Sequence, residues 1–276
     1  ATDTRGGTSR DVSRGAPRIR IESLAPGAGP ALGAFAEDLR RGTGPGTGFL
    51  PSMPADEAAW RTALDEGAAR TRPLSSSALE RVLARQAALG AGDLAAANAR
   101  ALAEPEGHAL AVITGQQPGL LGGPLLTYHK VAGAIDLARK LDGIGGRRVV
   151  PVFWTASEDH DFDEANRAGV IGRDGQRHTL RVEGQADGRS IRDLPVDEQA
   201  RAAALEQLAA LLPDTDRGRD ALAQAQADPG DDHAEWSVRT LLRVVGDSGL
   251  VVIEPEQLYD ELAPTLEWLL DNAAPI

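Results

Sequence analysis

The chain contains no cysteine. That absence removes a thiolate nucleophile, a thiolate zinc site and any disulfide framework. Long apolar runs are also missing. Stretches such as "ALAVI" at 109–113 and "LVVI" at 250–253 fall far short of the roughly 20 residues that a spanning helix needs, so no membrane segment is expected. The N-terminus has no apolar stretch of the kind that opens a secretory signal, which makes the cytoplasm the expected location. Basic residues are outnumbered, 29 against 41 acidic, for a net charge of −12. A field of that sign opposes nonspecific binding to nucleic acid, and no nucleic-acid partner is expected.

What is present suits a globular α/β protein. The 276 residues, 42% of them hydrophobic, suffice for one large or two modest domains with a buried core. Residues 1–17 are polar and rich in Gly, Ser and Arg, a composition expected to form a flexible arm. Residues 18–105 read as a mainly helical lead-in: Trp60 and Leu64, then Leu79, Val82, Leu83 and Ala87, recur at spacings of three and four. In "SSSALERVL" either Ser76 or Ser77 can cap a helix, with Glu80 as its capping-box partner.

From residue 106 to 276 the pattern becomes strand, loop, helix. "HALAVITG" at 108–115 is a β-prone run, and the segment after the next loop carries an apolar stripe at Val131, Ala134, Ile135, Ala138 and Leu141. "RRVVPVFWTA" at 147–156 is a second strand. A hairpin is expected around Gly172 to Gly175, helices at 196–212 and 233–246, and a last strand before Pro255. Alternating strands and helices imply a parallel sheet with helices on its faces, and such sheets bind ligands beyond the carboxyl ends of their strands.

Two loops follow strands there. In "TGQQPGLLGGPLLTYHK", 114–130, the glycines permit close backbone approach and Pro124 suits a first helical turn. The loop therefore reads as a cradle for a phosphate or carboxylate, served by Gln116, Gln117, Gly119, Gly122 and Gly123, or equally as an ordinary glycine-rich connection. His129 and Lys130 point about 100° apart on the helix. Lys130 lies at the edge of the apolar stripe and His129 opposite it, although both side chains lean back towards the loop. In "SEDHDFDEAN", 157–166, a cluster of acids surrounds His160. It reads as a divalent-metal site, as a polar pocket for an amine and hydroxyls, or as a helix cap in which Asp161 answers Glu164. Capping leaves Glu158, Asp159 and His160 without a structural task. A third acidic stretch, "DPGDDHAEW" at 228–236, is explained by capping, and His108 and His178 have no partner evident in the sequence.

Together, "VITGQQPGLLGGPLLTYHK" and "VPVFWTASEDHDFDEAN" resemble the corresponding motifs of the bacillithiol biosynthesis cysteine-adding enzymes. The likeness runs less distinctly from about residue 35 to the end of the chain. It implies a Rossmann-like core similar to class I aminoacyl-tRNA synthetases, and a reaction that joins cysteine to glucosaminyl-malate through an amide. ATP is the expected cosubstrate, because a carboxylate needs a leaving group, supplied by way of an adenylate or an acyl phosphate; a metal requirement stays open. On this likeness Asp159, His160, His129 and Lys130 are the expected catalytic residues. Gln116, Gln117, Gly119, Gly122, Gly123, Glu158 and Asp161 would bind nucleotide or substrate. Family members are longer and pair as homodimers through a coiled coil, so the chain is expected to correspond to an N-terminal portion with an incomplete core. A binding module without catalysis is the alternative.

Overall fold

The computed structural model describes residues 56–273, together with residues 38, 41–44 and 54. The arm expected at 1–17 lies outside the described residues. From Glu57 onward the chain forms one compact unit. Helices α1 (Glu57–Arg70), α2 (Ser76–Leu89) and α3 (Asp93–Ala101) precede strand β1 (Leu110–Gln116). Helix α4 (Leu125–Gly145) leads to β2 (Val149–Thr155), and a single helical turn, α5 (Phe162–Ala165), opens the hairpin of β3 (Arg167–Ile171) and β4 (Arg177–Arg181). Then come α6 (Glu198–Leu211), α7 (Asp216–Gln226), α8 (His233–Val245), β5 (Val251–Ile253) and α9 (Tyr259–Asp271).

The main sheet is parallel and three-stranded, in the order β1-β2-β5. Its strands are apolar on both faces because helices cover both. On one side Val131 and Ile135 of α4 and Val238 and Leu241 of α8 enclose Phe153 and Val252. On the other, Val82 of α2 and Ala99 of α3 pack on Val150, Val152, Val251 and Ile253. Among the described residues of the helical lead-in, α2 and α3 thus help to cover the sheet, while α1 packs through Leu64 on Ala138 and Leu141 of α4. The antiparallel hairpin stands apart from the sheet, with Leu180 packed beside Leu205, Leu208 and Trp236.

Two details differ from the sequence expectation. The cap of α2 is Ser75, whose hydroxyl accepts from Ala78 N–H at 3.2 Å, rather than Ser76 or Ser77. All three serines can cap, and the choice falls to the register that buries Ala78, Val82, Gln86 and Leu89; Glu80 is then too far along to complete a capping box. Pro124 is the cap residue of α4 rather than part of its first turn.

Strand β5 is only three residues long, and α2 holds its outer edge. The buried Gln86 amide donates to Val252 C=O at 2.6 Å and accepts from Val252 N–H at 3.0 Å. It takes the place of a fourth strand, since Val251 and Ile253 turn their polar groups towards β2 and Val252 turns its own away. Just beyond β5, the Glu254 carboxylate receives Arg85 Nη2–H at 2.9 Å, while Arg85 Nη1–H reaches Glu235 of α8 at 3.2 Å. Both carboxylates are buried.

Candidate active site

The register of β1 and β2 sets Gln116 beside Thr155, so the two loops leave the sheet together. A chain of hydrogen bonds joins them. Lys130, on the second turn of α4, donates to Gln116 Oε1 at 3.0 Å and to the Gly115 carbonyl. Gln116 donates to Gln117 Oε1 at 3.0 Å, and Gln117 donates to Asp159 Oδ2 at 2.9 Å. The other Asp159 oxygen accepts the backbone N–H of Asp161 at 2.8 Å. That backbone bond, followed by the Gln117 amide, holds the Asp159 carboxyl below its ordinary pKa, so the group is a carboxylate at neutral pH.

Buried hydroxyls adjoin this edge. Ser157 and Thr155 are almost fully buried, and neither hydroxyl has a hydrogen-bond partner. Buried polar groups are nearly always satisfied, and a polar ligand at the strand ends would supply what these two lack.

The glycine loop is held from within. Gly119 N–H donates to Ser237 Oγ of α8 at 2.9 Å, and Gly123 N–H donates to Leu120 C=O at 3.2 Å. Leu121 adopts a left-handed conformation, φ 58° and ψ 33°, secured by a Tyr128 hydroxyl that donates to its carbonyl at 2.7 Å. Burial pushes the Tyr128 pKa up to about 12, so that donor persists across the physiological range. Gly122 has φ +79°, and a Cβ on it would fall 2.2 Å from the Tyr128 hydroxyl. These glycines answer to packing, and valine at Gly122 would break the loop rather than empty a folded cradle. Neither contact is evident in the sequence: Tyr128 lies between Thr127 and the His129–Lys130 pair, and Ser237 lies 118 residues from its partner.

The remaining expected residues disperse. His129 is exposed on α4, on the side away from the apolar stripe, and Glu158 and His160 are exposed beside Asp159. Asp161 caps α5 by accepting Glu164 N–H at 3.0 Å, while Asp163 pairs with Arg181. Among the described residues no three His, Asp or Glu side chains assemble a metal-holding group, and no helix is long and apolar enough to cross a membrane. His233 opens α8 behind its cap, Asp232, with its ring edge-on to Phe162 at 5.1 Å. Burial lowers its pKa to about 4. His108 and His178 do find partners, in Thr71 at 3.0 Å and Asp174 at 2.9 Å.

A family model described as "Bacillithiol biosynthesis BshC, N-terminal Rossmann-like domain" matches residues 46–272. Proteins named "Putative cysteine ligase BshC" are similar along much of the chain. That of Desulforamulus reducens is 37% identical over 171 residues, 60% of this chain and 31% of the relative. That of Oceanobacillus iheyensis is 34% identical over 152 residues, 53% of this chain and 28% of the relative. In Symbiobacterium thermophilum the match is 34% over 201 residues, 68% of this chain and 35% of the relative. The chain spans about a third of the length of these curated relatives. With its sheet, its two motif loops and a match over residues 46–272, the chain belongs to the bacillithiol biosynthesis BshC family, in the region of that family's N-terminal Rossmann-like domain.

Proposed function

We propose that the chain carries the substrate-binding core of a ligase that joins cysteine to glucosaminyl-malate through an amide, completing bacillithiol with ATP as cosubstrate. The full-length protein is proposed to be a cytoplasmic homodimer. One observation carries the reading: the hydrogen-bonded series from Lys130 through Gln116 and Gln117 to Asp159 ties both family motifs into one polar edge at the strand ends. The unpartnered hydroxyls of Thr155 and Ser157 fit a polar ligand at that edge. ATP, when bound, converts a carboxylate oxygen into a leaving group. The chain's own residues bind and orient. Asp159, held ionised, takes the ammonium or hydroxyl donors of the acceptor substrate, and Lys130 fixes the turn of the Gln116 amide at the other end of the series. His160, exposed beside Asp159, is free to exchange a proton with the attacking amine.

The test uses the full-length protein with cysteine, glucosaminyl-malate and ATP, following bacillithiol by mass spectrometry. Asp159→Asn should lower turnover by about a hundredfold while the melting temperature stays within about 2 °C, since Asp159 is only partly buried. Loss of activity matched by unfolding would reduce Asp159 to a loop brace. Binding without turnover is the second reading, favoured by His129 facing away from the edge; ATP binding with no product from the wild-type protein would establish it.

A further inference from the structure

The far half of the glycine loop faces something other than Asp159. Beside it runs a groove of about 580 Å³, lined by Leu121, Leu125, Glu164, Arg167, Arg177 and Thr179. The groove exists because the hairpin is two-sided. Alternation along β3 and β4 turns Ala168, Val170 and Leu180 into the cluster with Trp236, and leaves Arg167, Gly169, Arg177 and Thr179 exposed. A Cβ on Gly169 would sit 3.1 Å from Arg177 Nε, so the Arg177 side chain lies across bare backbone.

The two arginines of this groove carry charge that no carboxylate matches. In a chain of net charge −12, Arg181 of the same hairpin pairs with Asp163, and Arg85, Arg192, Arg201, Arg219 and Arg239 all have carboxylate partners. Among the described residues, neither Arg167 nor Arg177 has an ion pair or a hydrogen bond from its side chain. Two guanidinium groups against the single carboxylate of Glu164 leave the groove one unit positive. Its opposite wall is apolar, formed by the fixed left-handed turn at Leu121 and by Leu125, which is 71% exposed. Thr127, one turn into α4, keeps a buried hydroxyl with no partner 3.0 Å from the position of a Cβ on Gly123, which also lines the groove.

We propose that this groove is an oxyanion-binding site, in which Arg167 and Arg177 hold the multiply charged end of a small molecule while Leu121 and Leu125 cover its hydrocarbon or sugar frame. Guanidinium forks match phosphate and carboxylate oxygens alike, so the shared chemistry is two or more anionic oxygens on one ligand. The site stands independently of the ligase reading, because it is measured by binding alone.

Isothermal calorimetry on the purified chain, with inorganic tripolyphosphate and with L-malate as separate probes, tests it. At least one probe should bind, and the one that binds tells phosphate from carboxylate. Arg167→Gln and Arg177→Gln, both exposed and both expected to melt with the wild type, should each weaken binding about tenfold, and the pair should abolish it. Arg217→Gln, exposed on α7, removes the same charge elsewhere and should leave the affinity unchanged. No binding of either probe, an undiminished affinity in the double variant, or an equal loss in Arg217→Gln would overturn the proposal.

Discussion

Replacing Gln86 by leucine tests how β5 is held. The side chain is 2% exposed and makes both of its strand-like bonds to Val252. Leucine fills nearly the same volume, so little cavity opens and the main effect is to leave one buried N–H and one buried C=O unsatisfied. Each such group costs about 1–3 kcal/mol, against which a better-buried apolar side chain returns about 1–2 kcal/mol. A net loss of about 1–4 kcal/mol follows. In urea, with a slope of about 2 kcal/mol per molar, the unfolding midpoint should fall by about 0.5–2 M with the slope unchanged. Hydrogen exchange adds a local readout: the Val252 amide should lose protection far more than Val251 or Ile253, whose positions pair with β2. A midpoint shift below about 0.5 M, or Val252 protection that tracks its neighbours, would refute the idea that a side-chain amide replaces a strand here.

Removing Arg85 with methionine should cost about 3–5 kcal/mol at pH 7, because Glu254 is left buried without its cation, while Glu235 keeps Arg239. Burial already raises the Glu254 pKa, so part of the loss should return as the pH is lowered, which denaturation at pH 5 and pH 7 would reveal. Gly122→Ala should destabilise by about 2–3 kcal/mol through its positive φ and the contact with Tyr128; combining it with Tyr128→Phe in a double-mutant cycle should recover a measurable share, and strict additivity would deny the contact. His233, neutral in the fold with a pKa near 4 against 6.5 for a free imidazole, binds its proton more readily when unfolded. Its contribution therefore makes the protein less stable as the pH falls from 6.5 towards 4. Thermal melts across that window should show a shallower slope for His233→Gln than for the wild type.

Much of the site could be read in the sequence because its cause is local. The stripe at Val131, Ala134, Ile135, Ala138 and Leu141 is buried along α4, and two apolar strands each deliver a polar loop to one edge of the sheet. The lean of helical side chains towards the loop holds for Lys130, whose four-carbon stem can reach the end of β1, but the shorter His129 stays outside. Other features were not legible. Helix α7 offers few large apolar residues to mark its period, with Leu222 its only leucine. Arg85 finds Glu254 across 169 residues, a distance at which charge alone names no partner. Glycines give the same sequence signal whether they receive a ligand or a neighbouring tyrosine, and only the position of Tyr128 shows which applies at Gly122.

The series of bonds from Lys130 to Asp159 has a sense as well as a length. An ammonium can only donate and a carboxylate can only accept, so the ends dictate that Gln116 and Gln117 each turn oxygen towards the lysine and nitrogen towards the aspartate. Rotating either amide by half a turn would set nitrogen against nitrogen or oxygen against oxygen. The two glutamines therefore behave as one coupled switch whose setting is written by charge at either end. A ligand that takes the Asp159 carboxylate releases only the far end: Lys130 still holds the sense of Gln116 and, through it, of Gln117, so the Gln117 N–H is left facing outward as a donor for whatever binds next.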